Sequence, residues 1–140
     1  MAYTTHMYGN AQVCAWNKEI DLDTDAIKVM LVNGYTYSKT HRYKDVSITN
    51  EATGTGYTAG GATIASCSIT FDSGTNRAIF DGADVTAWAS NTAVATGAVI
   101  YDDTPGSNKP LLFYIDFGGT QTPLGLQFSA DGIHYINIPV

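Results

Sequence analysis

Short runs of β-branched and aromatic residues recur about every ten positions along this chain, with turn-forming residues between them. These runs lie at 26–32, 46–49, 62–71, 77–80, 84–88, 93–101, 110–117, 126–129 and 134–138. Gly, Asn, Asp or Pro occupies most of the connections, where tight turns require such residues. The pattern predicts an all-β fold, a β-sandwich or jelly roll in one domain, with β-hairpins over 62–80 and 126–138.

The stretch NAQVCAWNK near the start of the chain has a different period. Ala11, Cys14 and Ala15 recur at helical spacing, which predicts one short N-terminal helix over residues 10–18. We therefore expect an N-terminal arm over residues 1–10, followed by a single β-sandwich domain over residues 11–140. A chain of 140 residues is long enough to bury a core without disulfides or a metal ion.

The chain carries unusually little charge. Charged residues make up 14%, against roughly 25% in a typical soluble domain. Either uncharged polar residues cover the surface, or other protein chains cover part of it. The net charge is −6 and the seven basic residues are scattered, which argues against nucleic acid as a partner. No apolar run approaches the roughly 20 residues of a membrane span, and no signal peptide is visible at the N-terminus.

The glycine-rich stretch GTGYTAGGATI at 54–64 loosely matches a dinucleotide-binding fingerprint. Such a loop works between a strand and the N-terminus of a helix. Here a polar segment precedes the glycines and a β-branched run follows them. The stretch is therefore interpreted as a turn or bulge that brings backbones close together, and Tyr57 within it can present its ring to a partner.

The acidic segment DLDTD (21–25) imitates the first ligands of a calcium loop. Ala26 and Val32 stand where an EF-hand requires Gly and Glu, so we expect these aspartates to accept local backbone hydrogen bonds instead. A looser calcium site built with other loops stays open. Asp102 and Asp103 precede Thr-Pro-Gly, and this sequence favours a turn rather than an acid–base pair.

No arrangement of residues in the sequence points to catalysis or to a cofactor. His6, His41 and His134 lack metal-binding spacing, and no nucleophile elbow is present. Cys14 and Cys67 lie far apart, and we expect reduced thiols rather than a disulfide. The sequence therefore predicts no catalytic residue, no metal ligand and no cofactor.

Five segments together resemble a group of small virion structural proteins of tailed bacteriophages and prophages. They are IDLDTDAIKVMLV, GTGYTAGGATI, DGADVTAW, GAVIYDDT and PLLFYIDFGG. Some members of that group are similar to capsid decoration (cement) proteins. The resemblance implies a non-enzymatic protein on the outer capsid surface of the virion, assembled in the host cytoplasm. It also implies the major capsid protein as partner and a homotrimer, with neither nucleic acid nor membrane as a partner.

A decoration protein can use extended termini to add strands to a neighbouring sheet. The predicted partner-binding residues are Tyr3, His6, Tyr8, Tyr57, Tyr135, Ile136 and Ile138. The alternative for both termini is that they are frayed ends. The alternative function is a receptor- or carbohydrate-binding module of a tail or head fibre, with Trp88 and Tyr35–Tyr37 as its platform. Trp88 ends a predicted strand, so core packing is the competing interpretation for that residue.

Overall fold

The computed structural model describes residues 3–139 and confirms an all-β domain of two antiparallel sheets with two short helices. The strands are β1 (Thr4–Met7), β2 (Ile27–Val32), β3 (Ala62–Thr63), β4 (Ser68–Asp72), β5 (Arg77–Asp81), β6 (Ala95–Asp102), β7 (Leu111–Gln121) and β8 (His134–Asn137). The helices are α1 (Gly9–Trp16) and α2 (Lys44–Ser47).

The larger sheet has the strand order β1-β7-β6-β2-β3, and its central strands are buried on both faces. In β2, Ile27, Val29 and Leu31 pack into the core on one face, as their alternation predicts. Met30 and Val32 point to the other face and pack within a second cluster that is rich in tyrosine. Burial on both faces explains why the strands of this sheet are almost continuously apolar.

The smaller sheet has the order β4-β5-β8 and packs against the larger one through aromatic rings. The ring centroids of Phe80 in β5 and Phe113 in β7 lie 4.9 Å apart. The predicted hairpin over 62–80 is confirmed for β4 and β5, which are joined by a tight turn. Asp72 accepts hydrogen bonds from the Gly74 N–H at 2.9 Å and the Thr75 hydroxyl at 2.6 Å, which fixes that turn.

Two of the predicted strands, at 46–49 and 62–71, have different structures. Residues 46–49 do not form a strand, because Lys44–Ser47 makes a single helical turn closed by a hydrogen bond from the Ile48 N–H to the Lys44 carbonyl. The run 62–71 is broken into β3 and β4, and Ser66 between them has a φ of 55°. A positive φ interrupts a pleated strand even where the side chains suit one.

The predicted hairpin over 126–138 is wrong. Residues 84–88 and 126–129 form no strands and are joined by a single bridge between Val85 and Leu126 and by a hydrogen bond from the Phe128 N–H to the Asp84 carboxylate. Strand β8 pairs with β5 instead, with Ala78 opposite Ile136. Val85 and Leu126 are buried like strand residues, although their segments do not form strands.

The predicted N-terminal arm is also corrected, because most of it belongs to the domain. Strand β1 pairs with β7 along its whole length, and α1 begins at Gly9. Tyr8 between them is fully buried. Met1 and Ala2 of the predicted arm, and Val140 at the end of the predicted domain, lie outside the described residues.

The glycine-rich stretch is a turn that brings backbones together, as predicted. A side chain at Gly61 would collide with the Val29 carbonyl, and Gly61 has a φ of 82°. The residues that follow form β3 and not a helix, so the stretch lacks the helix N-terminus that a phosphate-binding loop uses.

Candidate interaction surface

A groove of about 790 Å³ opens between α1 and the smaller sheet. Strand β7 forms the floor of this groove. One wall is formed by α1 and residues 18–23, and the other wall is formed by the apolar face of β4, β5 and β8. Its apolar lining residues are Met7, Ala11, Ala15, Trp16, Ile20, Leu22, Ile69, Ala78, Phe80, Leu112, Phe113, Ile136, Ile138 and Pro139. We call this feature the apolar groove.

Trp16 stands at the mouth of the apolar groove and is 85% exposed. It is the last residue of α1, which is held to the domain by the buried side chains of Ala11 and Cys14. Those small residues bring the helix close to the domain but leave the large indole uncovered. An indole exposed to this degree at a concave apolar site is characteristic of an interaction surface.

The opposite wall also exposes large apolar side chains. Ile69 and Phe71 alternate on the same face of β4 and are 52% and 60% exposed. Phe80 on the neighbouring strand β5 is buried against Phe113. The apolar face of the smaller sheet is therefore covered at β5 and exposed at β4. The smaller sheet therefore offers an apolar surface that the rest of the described chain does not cover.

Few charged side chains border the apolar groove. Lys18, Asp21 and Asp23 lie along the α1 side, and His134 lies on the sheet side. The His134 ring lies 5.0 Å from the Phe113 ring, and its burial lowers the pKa of the imidazole. His134 is therefore neutral at physiological pH and contributes to the apolar wall.

The three predicted contact residues near the N-terminus face inward. Tyr3 packs on Phe117 with ring centroids 4.9 Å apart. His6 stacks on Tyr37 at 5.1 Å, and the buried Tyr8 lies with its hydroxyl 2.9 Å from that of Tyr35. These contacts stabilise the domain, so Tyr8 is unavailable to a partner, and Tyr3 and His6 are only partly accessible.

Tyr57 and Trp88 also belong to the interior rather than to an open platform. The Tyr57 hydroxyl donates to Glu51 at 2.9 Å and accepts the Leu31 N–H at 3.0 Å, so its ring is held in the domain. The Tyr57 ring lies 5.9 Å from that of Trp88, which is 2% exposed. Core packing of Trp88 is confirmed. The half-buried Tyr57 is held by contacts within the domain, and its contact with a partner stays a prediction.

The predicted contact residues of the C-terminal segment are partly brought to the apolar groove. Ile136 and Ile138 line it, and Ile138 is 42% exposed. Tyr135 lies on the other face of β8, where the Arg77 guanidinium sits 4.0 Å from the centre of its ring. The groove therefore unites Ile136 and Ile138 with Trp16 and Ile69, which sequence reasoning did not select. Phe71 is exposed on the same face of β4 as Ile69 but does not line the groove.

The signals for the missed residues were present but weak. Trp16 is a large apolar residue at the end of a helix whose buried positions are small, and Ile69 and Phe71 alternate along a strand. Both patterns are also typical of core residues. Only the three-dimensional arrangement shows that the apolar face of β4 extends beyond the part of the domain that covers it.

The aspartates of the 21–25 segment act locally, as predicted. Asp25 accepts the Asp21 N–H at 2.7 Å, and Asp21 accepts the Asp23 N–H at 3.1 Å. Among residues 3–139, no group of three or more histidine, cysteine, aspartate or glutamate side chains is arranged to hold a metal ion.

Asp102 is a fully buried carboxyl group at the end of β6. Its Oδ1 accepts the Thr104 N–H at 2.9 Å, whereas Oδ2 has no hydrogen-bond partner. Burial, reinforced by the nearby Asp25 carboxyl, raises the pKa of Asp102 to about 6. Asp103 instead binds Lys28 at 2.8 Å and also pairs with Lys109, so the two aspartates have separate environments.

Both cysteines are free thiols, as predicted. Cys14 is buried in α1. Cys67 is half-buried and donates to the Ile64 carbonyl at 3.4 Å. Burial raises the pKa of the Cys67 thiol to about 11, which makes it a poor nucleophile at neutral pH.

Comparison of the chain with protein-family models, with curated proteins and with solved structures finds no match. Within residues 3–139, neither helix has the length and apolar character needed to cross a membrane. The function is therefore argued from the apolar groove and from the resemblance noted in the sequence.

Proposed function

We propose that this chain is a non-enzymatic structural protein of a phage virion. In this proposal it decorates the outer capsid surface, binds the major capsid protein through the apolar groove, and stabilises the head. The observation that carries the proposal is the exposed apolar surface formed by Trp16, Ile69, Phe71 and Ile138 beside a groove of about 790 Å³. The resemblance to virion proteins supplies the biological setting.

The composition of the groove suits a protein partner. Aromatic residues are enriched at protein interfaces and charged residues are depleted at the centres of such interfaces. Trp16 provides a large ring at the rim, Phe71 exposes another beside the groove, and the apolar floor accepts a side chain from the partner. Anchoring of an aromatic or aliphatic side chain in such a pocket supplies most of the binding energy in many complexes.

Repetition of the contact strengthens a weak site on a shell. A capsid presents the same surface many times, so linked copies of a decoration protein bind with an effective concentration that a single contact lacks. The low charge of the chain fits this role, because a surface that is covered by neighbouring proteins needs less charge.

The experiment is binding to undecorated, expanded capsids of the phage whose genome encodes the chain. Wild-type protein is expected to co-sediment with the shells and to raise their melting temperature. Trp16→Ala is expected to weaken binding at least tenfold, since loss of a large aromatic side chain that a partner covers has effects of about this size. Leu124→Ala is the matched control, because Leu124 is 60% exposed and does not line the groove. Equal binding by the two variants would contradict the role of the groove, and absence of wild-type binding would contradict the proposed function.

The alternative function, a receptor- or carbohydrate-binding module of a tail or head fibre, loses its predicted platform. Trp88 is 2% exposed and Tyr35 is 8% exposed. The Tyr37 hydroxyl donates to the Met7 carbonyl at 2.6 Å, which draws this side chain into the domain. Stacking on a sugar requires an open aromatic face, so these residues do not support that alternative.

A further inference from the structure

We infer that β4 pairs with the β4 strand of a second copy of this chain across a two-fold axis at Thr70. The smaller sheets of two copies then join into one continuous antiparallel sheet. This inference is independent of the proposed capsid role, because it concerns only the contact between two copies.

The inference begins with the open edge of the smaller sheet. Among the described residues, β4 pairs with β5 on one side and with no strand on the other. Its sequence, SITFD, contains neither Lys nor Pro, which natural edge strands use to prevent pairing. Ile69 and Phe71 are both more than half exposed on this strand. An edge strand with these properties is a template for another strand.

The other edges in the described part of the chain are less suitable. Strand β3 has two residues. The edge at β1 is partly covered, because the Tyr37 hydroxyl donates to the Met7 carbonyl. Strand β8 is followed closely by Pro139, which cannot donate to a ladder. Strand β4 is thus the edge best able to accept a partner.

The register of the smaller sheet shows which backbone groups of β4 are available. The Ile138 N–H donates to the Asn76 carbonyl at 2.8 Å, beyond the Arg77–Asn137 pair. Alternation along β5 then directs the amides and carbonyls of Arg77, Ile79 and Asp81 toward β4. The residues opposite them in β4 are Ser68, Thr70 and Asp72, and their amides and carbonyls point back toward β5. The amides and carbonyls of Ile69 and Phe71, which alternate with these residues, therefore point to the open edge.

The sequence of β4 is complementary to itself in an antiparallel arrangement. With the axis at Thr70, Ile69 of one copy lies opposite Phe71 of the other, and the two exchange backbone hydrogen bonds. A β-branched residue opposite an aromatic one is a favourable cross-strand pair, as is the Thr70 pair at the axis. Ser68 lies opposite Asp72 and can donate to its carboxylate.

Charge favours this arrangement over parallel stacking. Asp72 is the only charged residue of β4. Antiparallel pairing about Thr70 separates the two Asp72 residues by about 13 Å along the strands, which exceeds the Debye length of about 8 Å at physiological salt. Parallel in-register pairing would place the two carboxylates side by side, where like charges are destabilising.

Disulfide trapping tests both the contact and its register. Residues opposite each other in a non-hydrogen-bonded pair have Cα atoms about 4.5 Å apart, within the range that a disulfide spans. In a Cys67→Ser background, Thr70→Cys is therefore expected to form a disulfide-linked dimer under mild oxidation. Ser68→Cys is the matched control, because its two copies would lie about 13 Å apart, beyond the reach of a disulfide.

The mass of the wild-type protein provides a second readout that does not depend on oxidation. Light scattering is expected to give about twice the chain mass of 14.9 kDa at high concentration. Phe71→Lys is expected to weaken the dimer at least tenfold. A monomer at all concentrations, equal cross-linking at positions 68 and 70, or the trimer that the resemblance implies would overturn the inference, because a two-fold contact closes as a dimer.

Discussion

The hydroxyl groups of Tyr8 and Tyr35 lie 2.9 Å apart in the interior of the domain. The Tyr35 hydroxyl is also 2.6 Å from Nδ1 of His41. This chain of contacts ties the junction of β1 and α1 to the loop after β2. These contacts explain why β1 is part of the domain. They also indicate that Tyr8 stabilises the fold rather than binding a partner.

Two substitutions of Tyr8 are expected to lower the free energy of unfolding by different amounts. Tyr8→Phe removes one hydrogen bond and should cost about 1 kcal/mol. Tyr8→Ala also removes a fully buried ring and should cost about 3–5 kcal/mol. Urea denaturation monitored by fluorescence measures both values. A neutral Tyr8→Ala variant would show that the ring is not packed as described.

Gly61 is expected to be intolerant of any side chain. Its φ is 82°, and an added Cβ would collide with the Val29 carbonyl in β2 of the larger sheet. Gly118 has a similar φ of 70° but open space around it. Gly118→Ala should therefore cost about 1 kcal/mol from backbone strain alone, whereas Gly61→Ala should cost at least about 3 kcal/mol. Similar melting temperatures for the two variants would contradict the close approach.

Asp102 and Asp103 are adjacent, but we expect them to have opposite effects on how the free energy of unfolding changes with pH. The raised pKa of Asp102, about 6, means that folding favours its neutral form. The protonated Asp102 carboxyl stabilises the fold below its ordinary pKa near 4, and this stabilisation is lost as the pH rises toward 6 and above. Asp102→Asn should therefore stabilise the protein at pH 7 by about 2 kcal/mol, and the difference from wild type should shrink by pH 4.

Asp103 serves as the matched control for this experiment. Although burial raises the pKa of Asp103, Lys109 and Lys28 outweigh that effect and hold it below its usual value. Its stabilising effect is present above the ordinary pKa and is lost as the pH falls through the lowered one. Asp103→Asn should lower the free energy of unfolding by about 1 kcal/mol at pH 7. Thermal unfolding between pH 4 and pH 8 measures both effects, and changes of the same sign at pH 7 would refute the assignment.

Cys67 is expected to react slowly with alkylating agents in the folded protein. With a pKa of about 11, its thiolate fraction at pH 8 is about a hundredfold lower than that of an ordinary cysteine. The alkylation rate with iodoacetamide, followed by mass spectrometry, should rise about tenfold per pH unit up to pH 10. Unfolding in urea should remove the protection, and rapid alkylation of Cys67 in the native protein at pH 8 would contradict its burial.

The sequence predicts much of the fold because strand patterns depend mainly on local burial. The β-branched and apolar runs predict β2, β5 and β6 near their observed bounds, whereas β7 continues to Gln121, beyond the predicted end at 117. Val85 and Leu126, in the predicted strands 84–88 and 126–129, are buried. Their segments were wrongly assigned as strands, because side-chain alternation records which face is buried and not which backbone groups are paired.

The candidate site was harder to predict from the sequence. Trp16, Ile69 and Phe71 have the same residue types as core positions, and Tyr8 and Tyr57 have the type expected at an interface. Their exposure depends on how far the smaller sheet extends beyond the rest of the domain, which is a long-range property. Ile136 and Ile138 are predicted contact residues that line the groove, because the prediction covers the C-terminal segment as a whole.

The most direct test of the proposed function is to locate the protein in intact phage particles. Virions are purified and analysed by quantitative mass spectrometry and by electron cryomicroscopy of their heads. We expect many copies of this chain per particle, visible as density on the outer capsid surface, with Trp16 and the apolar groove against the major capsid protein. Purified virions that lack the protein, or that carry it only inside the head or in the tail, would refute the proposed function.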